Sequence, residues 1–402
     1  MLNLKEIKKA QFELKGIINQ TPLDFSNTFS NMSNQQVYLK LENLQKTGAF
    51  KVRGAYYKMR TLTDQERAKG VIAASAGNHA QGVAFAGAMA NVPVTIVMPR
   101  RAPLAKVQAT REYGAKVILH GEVFDESLEK ALQIQQETGS TFLHPFDDEE
   151  VIAGQGTIGL EIIEQLPDVD AIVVPVGGGG LISGIATSIK EINPNIQIIG
   201  VQSEAIASMK TSLEAKKITK ITGADTIADG IAVKQPGEKT FNVIQKYVDD
   251  VVVVNELEIS RTMLYLLERN KQLVEGSGAS ALAAILYNKL PFKHKKVAAI
   301  ISGGNVDVNL ISRIIEHGLV EAGRFVTFST LVSDRPGELN KLLSIIANLE
   351  ANVLSIHHQR QGSRVTPGLT DVQFSLETRN REHIEEIAHA LISNGYEMNE
   401  KI

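Results

Sequence analysis

From about Val37 to about Glu316, short β-branched runs alternate with longer segments whose apolar residues recur at three- and four-residue spacing. The runs include Val71–Ala74, Val94–Met98, Lys116–Leu119, Ala171–Val176, Ile196–Val201, Val251–Val254 and Val297–Ser302. Between several of them lie His79–Ala90, Pro103–Tyr113 and Ser183–Ile192, which carry the helical period. Two strands joined through a helix cannot form a tight hairpin. They lie parallel, and a parallel sheet needs helices on its faces. Repetition of the unit therefore predicts an α/β protein with doubly wound parallel sheets. Ligands of such sheets sit beyond the carboxyl ends of the strands, often at helix N-termini. The segment after each strand is where chemistry is expected.

The pattern changes near Glu321-Ala322-Gly323. Beyond it the spacing predicts strand Phe325–Val332, helix Pro336–Asn348, strands Asn352–His358 and Asp371–Glu377, helix Arg381–Ser393 and a short last strand. That is the order of a ferredoxin-like α+β domain. Two domains are thus expected, residues 1–320 and 324–402. The net charge of -3 over 402 residues, with no long basic run, argues against nucleic-acid and anionic-membrane partners. The chain has no cysteine, which excludes disulfides and thiolate metal sites. Its start, MLNLKEIKKAQFELKG, mixes charges into its apolar residues, unlike a signal peptide. No stretch approaches the roughly 18 apolar residues of a membrane span. A soluble cytoplasmic protein is expected.

Four segments following strands or opening helices invite a chemical reading, each beside a plainer one. In Thr47-Gly48-Ala49-Phe50-Lys51-Val52-Arg53-Gly54-Ala55, Lys51 falls at a helix start, where a cation opposes the helix dipole. A Schiff-base lysine needs such a rigid turn, and an exposed surface lysine is the alternative. In Ala74-Ser75-Ala76-Gly77-Asn78-His79-Ala80-Gln81-Gly82, small residues and the free N–H groups of a helix start make an anion cradle. The alternative is a helix cap by Ser75 or Asn78. Gly177-Gly178-Gly179-Gly180-Leu181 is costly in backbone entropy but lets N–H groups close on a phosphate. It is neither a P-loop nor Gly-x-Gly-x-x-Gly, and a mononucleotide phosphate stays open on this motif alone. In Ser302-Gly303-Gly304-Asn305, the serine hydroxyl can bond a ring nitrogen without protonating it, or merely cap a helix.

Gly276-Ser277-Gly278-Ala279-Ser280-Ala281 fits a dinucleotide fingerprint, but the residues before it read as a helix end rather than a strand. It is not taken as an NAD site. No metal-binding spacing occurs among the nine histidines. His357-His358, on an expected strand, reads as structural.

Taken together and in this order, the four segments resemble the fold-type II pyridoxal-phosphate enzymes, whose fold is tryptophan synthase β-like. Within them the chain is similar to threonine ammonia-lyases (threonine dehydratases) with one C-terminal ACT-type regulatory domain. The resemblance covers nearly the whole chain and adds Ala153-Gly154-Gln155-Gly156-Thr157, Ala228-Asp229-Gly230 and Glu275-Gly276-Ser277-Gly278. It implies pyridoxal 5'-phosphate held by Lys51 as a Schiff base. Phe50 would lie beside the ring, Asn78 at its phenolic oxygen, and Glu275 near the ring. Gly177, Gly178, Gly179, Gly180 and Leu181 would hold the phosphate, and Ser302 would face the pyridine nitrogen. Ser75, Ala76, Gly77, Asn78 and His79 would take the carboxylate of an amino-acid substrate. Lys51 would also take the α-proton. In the second domain, Asp334-Arg335-Pro336-Gly337-Glu338-Leu339 joins strand to helix, and Gly337 would let an amino-acid effector, isoleucine first, approach the backbone. A homo-oligomer, a tetramer, is implied, as is no metal. The rivals are a serine dehydratase or racemase of the same fold and a non-catalytic amino-acid sensor.

Two positions depart from the pattern. Ala49 stands where many relatives have serine, which should not affect Schiff-base formation. Ala76 stands where serine racemases of this fold carry a second serine as the opposite-face base, and alanine cannot move a proton. If the resemblance holds, incubation with L-serine should yield pyruvate with negligible D-serine by chiral chromatography. Comparable yields of the two would show that another group supplies that proton.

Overall fold

The computed structural model describes residues 2–291, 293, 295–360 and 365–400. They form two compact units, Met1–Val306 and Asp307–Ile402. The helix Val308–Glu321 groups with the second unit, so this boundary and the composition change at Glu321–Gly323 differ by that helix.

The first unit holds two sheets rather than one continuous sheet. A six-stranded sheet runs in the order Leu23–Phe25, Gln36–Leu41, Lys296–Ile301, Ala171–Pro175, Gln197–Ser203, Asp250–Val254. All its neighbours are parallel except the first strand, an antiparallel edge. A four-stranded parallel sheet runs Lys116–Leu119, Val94–Met98, Val71–Ala74, Thr141–Phe142. Central strands are buried along their whole length, as helices on both faces require. The expected strands are present with small shifts in their ends. The strand Thr141–Phe142 and the edge Leu23–Phe25 are additions, too short to show a period.

Three helices meet closely at the centre: Lys51–Thr61, Glu149–Gln165 and Gly180–Ile192. Glycines set that approach. A Cβ on Gly154 would come within 2.5 Å of the Gly54 Cα, and one on Gly156 within 2.8 Å of the Gly184 carbonyl oxygen. The Ala153–Thr157 segment is thus a packing surface.

Beside this contact lies a buried ionic cluster. Arg53 donates Nε to Glu42 at 2.8 Å and Nη2 to the same carboxylate at 2.7 Å. It also reaches Glu161 at 2.5 and 3.0 Å and Thr157 at 3.1 Å. Lys40 donates to Glu161 at 2.5 Å, to the Thr21 carbonyl at 2.7 Å and to Gln165 at 3.0 Å. Arg53, Lys40 and Glu42 are fully buried. Two cations face two carboxylates, and each guanidinium and ammonium donor finds an acceptor, the condition under which buried charge is tolerated.

Beyond the helix Val308–Glu321, the second unit has the order β-α-β-β-α-β. Its antiparallel sheet runs Asn352–Gln359, Leu369–Glu377, Phe325–Ser333, Asn399–Glu400. This is the ferredoxin-like arrangement. Phe328, Val372, Phe374 and Leu376 pack against Leu342, Ile346, Ile387 and Leu391 of its helices. His357 and His358 lie on the edge strand and are exposed. Among the described residues, no helix is long and apolar enough to cross a membrane, and no His, Asp and Glu group could hold a metal.

Removing the Arg53 guanidinium while keeping its bulk, as in Arg53→Met, strands two buried carboxylates. The variant is expected to lose about 3–5 kcal/mol of stability, read by denaturant unfolding. A loss below about 1 kcal/mol would show that Lys40 alone neutralises the cluster.

Candidate active site

Lys51 is the first residue of its helix, and Phe50 precedes it. The turn delivering it is stitched to the turn after the strand Lys296–Ile301. Phe50 N–H donates to the Ser302 carbonyl at 3.1 Å, and Gly304 N–H to the Gly48 carbonyl at 2.8 Å. Ala49 bridges Gly303, and the Asn305 amide donates to the Thr47 carbonyl at 2.7 Å. The segments of Lys51 and Ser302, far apart in sequence, thereby form one floor. The Ser302 side chain is buried and its hydroxyl bonds no described group.

The Lys51 amine donates to the Pro145 carbonyl at 2.8 Å and lies 5.2 Å from the Phe50 ring centre. Burial drags its pKa down to about 8, against the opposing pull of the Glu275 carboxylate. Much more of it is therefore the free-base nucleophile at neutral pH than for a surface lysine.

The tetraglycine turn follows the strand Ala171–Pro175 and runs into the helix Gly180–Ile192. Gly178, Gly179 and Gly180 are buried, yet the N–H groups of Gly177, Gly178, Gly179, Gly180 and Leu181 donate to no described group. Buried amides without acceptors are rare and costly. At a helix N-terminus they describe an anion site. Glycine is obligatory here: a Cβ on Gly178 would fall on the Phe146 ring, and Gly179 has φ +98°.

The segment Ser75–His79 follows the strand Val71–Ala74 and starts the helix Asn78–Ala90. The Ser75 hydroxyl accepts from Gly77 N–H at 3.2 Å, while the N–H groups of Ala76, Asn78 and His79 donate to no described group. Asn78 donates to Glu275 at 2.8 Å and accepts from Asn305 at 2.8 Å. Glu275 also accepts from Ser277 at 2.7 Å, and burial with the nearby Asp229 pushes its pKa up. His79 is buried and its Nε2 contacts the Leu143 carbonyl at 2.9 Å. Burial, with Lys51 near, lowers its pKa to about 3. The ring is neutral and carries its proton on Nε2.

One cavity of about 940 Å³ collects the site residues. Phe50, Lys51, Ser75 to His79, Gly177 to Leu181, Glu275 and Ser302 are brought together there, and Gly337 belongs to the second unit. The Gly276–Ala281 segment follows a loop after the helix Glu256–Asn270, not a strand.

Sequence reasoning missed a whole wall of the cavity, His144-Pro145-Phe146-Asp147, and the core residue Leu143 that precedes it. Leu143 holds His79, Pro145 holds Lys51, and Phe146 backs Gly178 and Gly180. Asp147 accepts from the N–H groups of Glu238, Lys239 and Thr240, capping the helix Glu238–Tyr247 from outside. The signal was present, since the segment follows a strand, but that strand is two residues long. Also missed is the ion pair Lys106–Asp229, at 3.0 Å between two residues of the cavity lining.

A pyridoxal phosphate requires an unprotonated amine and a phosphate cradle within one cavity. The Lys51 amine and the five free amides of Gly177–Leu181 meet both needs. Residues 14–303 match the family described as pyridoxal-phosphate dependent enzyme. The chain belongs to the pyridoxal-phosphate-dependent enzymes. It is 54% identical over 398 residues, 99% of each chain, to the L-threonine ammonia-lyase of Thermotoga maritima. Its fold is similar to the processed form of threonine deaminase isoform 2 from Solanum lycopersicum. The TM-score is 0.75 and the identity 41%, over 78% of this chain and 86% of that one. It is equally similar in fold to maize serine racemase, with TM-score 0.75 and 36% identity over 80% of this chain and 98% of that one. The pyridoxal-phosphate family and its α/β fold, expected from the motifs, are thereby established.

In the cofactor-free protein, acylation of Lys51 by an amine reagent should be half-maximal near pH 8 when followed by mass spectrometry. The sign follows from the lowered pKa: the reactive free base accumulates as pH rises through 8. A rate that climbs only above about pH 10, like an ordinary lysine, would show that burial does not depress this amine.

Proposed function

We propose that this enzyme converts L-threonine to 2-oxobutanoate and ammonia, and L-serine to pyruvate. The observation that carries the reading is the low-pKa Lys51 amine sharing one cavity with the unbonded amides of Gly177–Leu181. The 54% identity to an L-threonine ammonia-lyase across the full chain supports the substrate.

Bound pyridoxal phosphate supplies the electron sink for the charge left on the substrate α-carbon. In this reading Lys51 anchors the cofactor, is released by the substrate amine, and takes the α-proton. The amides of Gly177, Gly178, Gly179, Gly180 and Leu181 hold the phosphate. Asn78 bonds the phenolic oxygen, held in place by Glu275 and Asn305, while Phe50 packs beside the ring. Ser302 faces the ring nitrogen, and a hydroxyl there leaves that nitrogen largely unprotonated. The free amides of Ala76, Asn78 and His79 receive the substrate carboxylate. Water lost from the β-carbon is regained on hydrolysis, so the net change is loss of ammonia. Ala76, where the resemblance to serine racemases would place an opposite-face base, has no proton to give. A non-catalytic sensor would have no use for a depressed lysine beside a phosphate cradle.

We further propose that the ferredoxin-like unit is an ACT-type regulatory domain of a cytoplasmic homotetramer serving isoleucine biosynthesis. Gly337, at φ +92° with open space around its missing side chain, precedes the helix Glu338–Asn348 and admits an amino-acid effector to that helix start. The test is an assay of 2-oxobutanoate from L-threonine and pyruvate from L-serine, with and without isoleucine, in the full-length enzyme, Lys51→Ala and a chain cut after Ala322. Lys51→Ala should lose at least 10²–10⁴-fold. Isoleucine should shift the threonine response by about 1–3 kcal/mol of coupling in the full chain and not in the truncated one. Near-normal Lys51→Ala activity sinks the catalytic reading, and a full-length enzyme indifferent to isoleucine sinks the effector assignment.

A further inference from the structure

Two imidazoles line the cavity, and their hydrogen bonds make them opposites. His79 spends its Nε2–H on Leu143, and its Nδ1 is buried without a partner. It has no N–H left to offer. His144 accepts at Nδ1 from two backbone amides, Asp147 N–H at 2.8 Å and Phe146 N–H at 3.3 Å. An acceptor at Nδ1 puts the proton of the neutral ring on Nε2. Burial also disfavours the charged ring. Phe142 and Phe146 flank the imidazole edge-on, with centroids at 6.2 and 4.7 Å. What remains for the cavity is the Nε2 edge, and that N–H has no acceptor among the described residues.

The next residue fixes where this donor works. Pro145 presents the carbonyl that holds the Lys51 amine at 2.8 Å, and the Lys51 charge acts on the His144 ring, so the two side chains share one part of the cavity they line. Beside them stand the free amides of Ala76, Asn78 and His79, on the turn after the neighbouring strand Val71–Ala74, and His79 itself bonds Leu143. A substrate whose amine takes the place of the lysine amine and whose carboxylate reaches those amides has its β-substituent left to satisfy.

We propose that the His144 Nε2–H donates a hydrogen bond to the β-hydroxyl oxygen of the substrate, making His144 a determinant of specificity for hydroxylated amino acids. This rests on the elimination reaction proposed above. The imidazole donates a hydrogen bond but does not give up its proton, since a neutral ring would be left as an imidazolate. The bond is present when substrate binds and strengthens as the Cβ–O bond breaks and charge grows on oxygen. The oxygen leaves with the bonding electron pair and departs as water, the proton it gains balancing the α-proton that Lys51 takes up.

The test uses the holoenzyme and its His144→Asn variant. Asparagine keeps an acceptor where Nδ1 lies, so the Phe146 and Asp147 amides stay paired, but it removes the Nε2 donor. Elimination is measured from L-threonine and L-serine, and from β-chloro-L-alanine, whose chloride needs no such donor. The expected result is a fall in kcat/KM of roughly 10- to 100-fold for the two hydroxy acids, less than about threefold for the chloride, and an unchanged cofactor absorbance band. Equal falls for all three would assign His144 to holding Lys51 and overturn the proposal, as would no fall at all. If His144→Asn does not fold, His144→Gln carries the test, because its amide N–H returns near the Nε2 position. It must turn over L-threonine at least tenfold faster than His144→Leu, and equal rates reject the hydrogen bond. Absence of 2-oxobutanoate from the wild-type enzyme would instead reject the parent reaction.

Discussion

The buried pairing of Arg53 with Glu42 and Glu161 is the constraint on which the rest of the site depends. It joins the turn after the strand Gln36–Leu41, the helix Lys51–Thr61 and the helix Glu149–Gln165. Lys51 stands two residues before Arg53, so the guanidinium fork sets the rotation and depth of the lysine helix. Arginine suits this because its planar donors engage two carboxylates at once. Apolar packing alone would hold the helix less specifically, because apolar contacts are non-directional. Close approach of the helices through Gly54, Gly154, Gly156 and Gly184 removes the remaining slack.

Reactivity at Lys51 follows from that fixed position. The amine sits where burial lowers its pKa and where the Pro145 carbonyl can hold it. The Asn78–Glu275–Ser277 chain, together with Asn305, orients polar groups around the same space. Each member of the chain has its donors or acceptors spoken for, which is how a buried polar site stays ordered. The segment from Leu143 to Asp147 adds a second kind of control. One short segment touches the lysine, the neutral histidine, the glycine turn and a helix start, so their spacing is set together.

Much of this was legible in the sequence because chemistry in a wound sheet follows strands. The runs Val71–Ala74, Ala171–Val176 and Val297–Ser302 were periodic enough to see, and their following turns held the anion cradles and the serine. The order of Lys51, the Ser75–His79 turn, the glycines and Ser302 carried the family. What stayed hidden had short or distributed signals. Thr141–Phe142 is too brief to read as a strand, so His144 and Pro145 behind it went unread. Lys40, Glu42, Arg53 and Glu161 are ordinary surface residue types, and only the fold shows that they are buried. The helix Val308–Glu321 reads as a continuation of the wound pattern, yet its contacts place it with the second unit.

The glycine turn has a consequence for how the protein can be observed. An amide with an acceptor exchanges its hydrogen with solvent only when the structure opens, whereas one without an acceptor lacks that protection. Gly177 to Leu181 present five successive amides of the second kind, the last two opening a helix whose later amides are bonded. Without that protection they are expected to exchange faster than the bonded amides of the surrounding α/β core. A bound phosphate group supplies their missing acceptors. The exchange rate of this one peptide is therefore a built-in gauge of cofactor occupancy, readable without any assay of turnover.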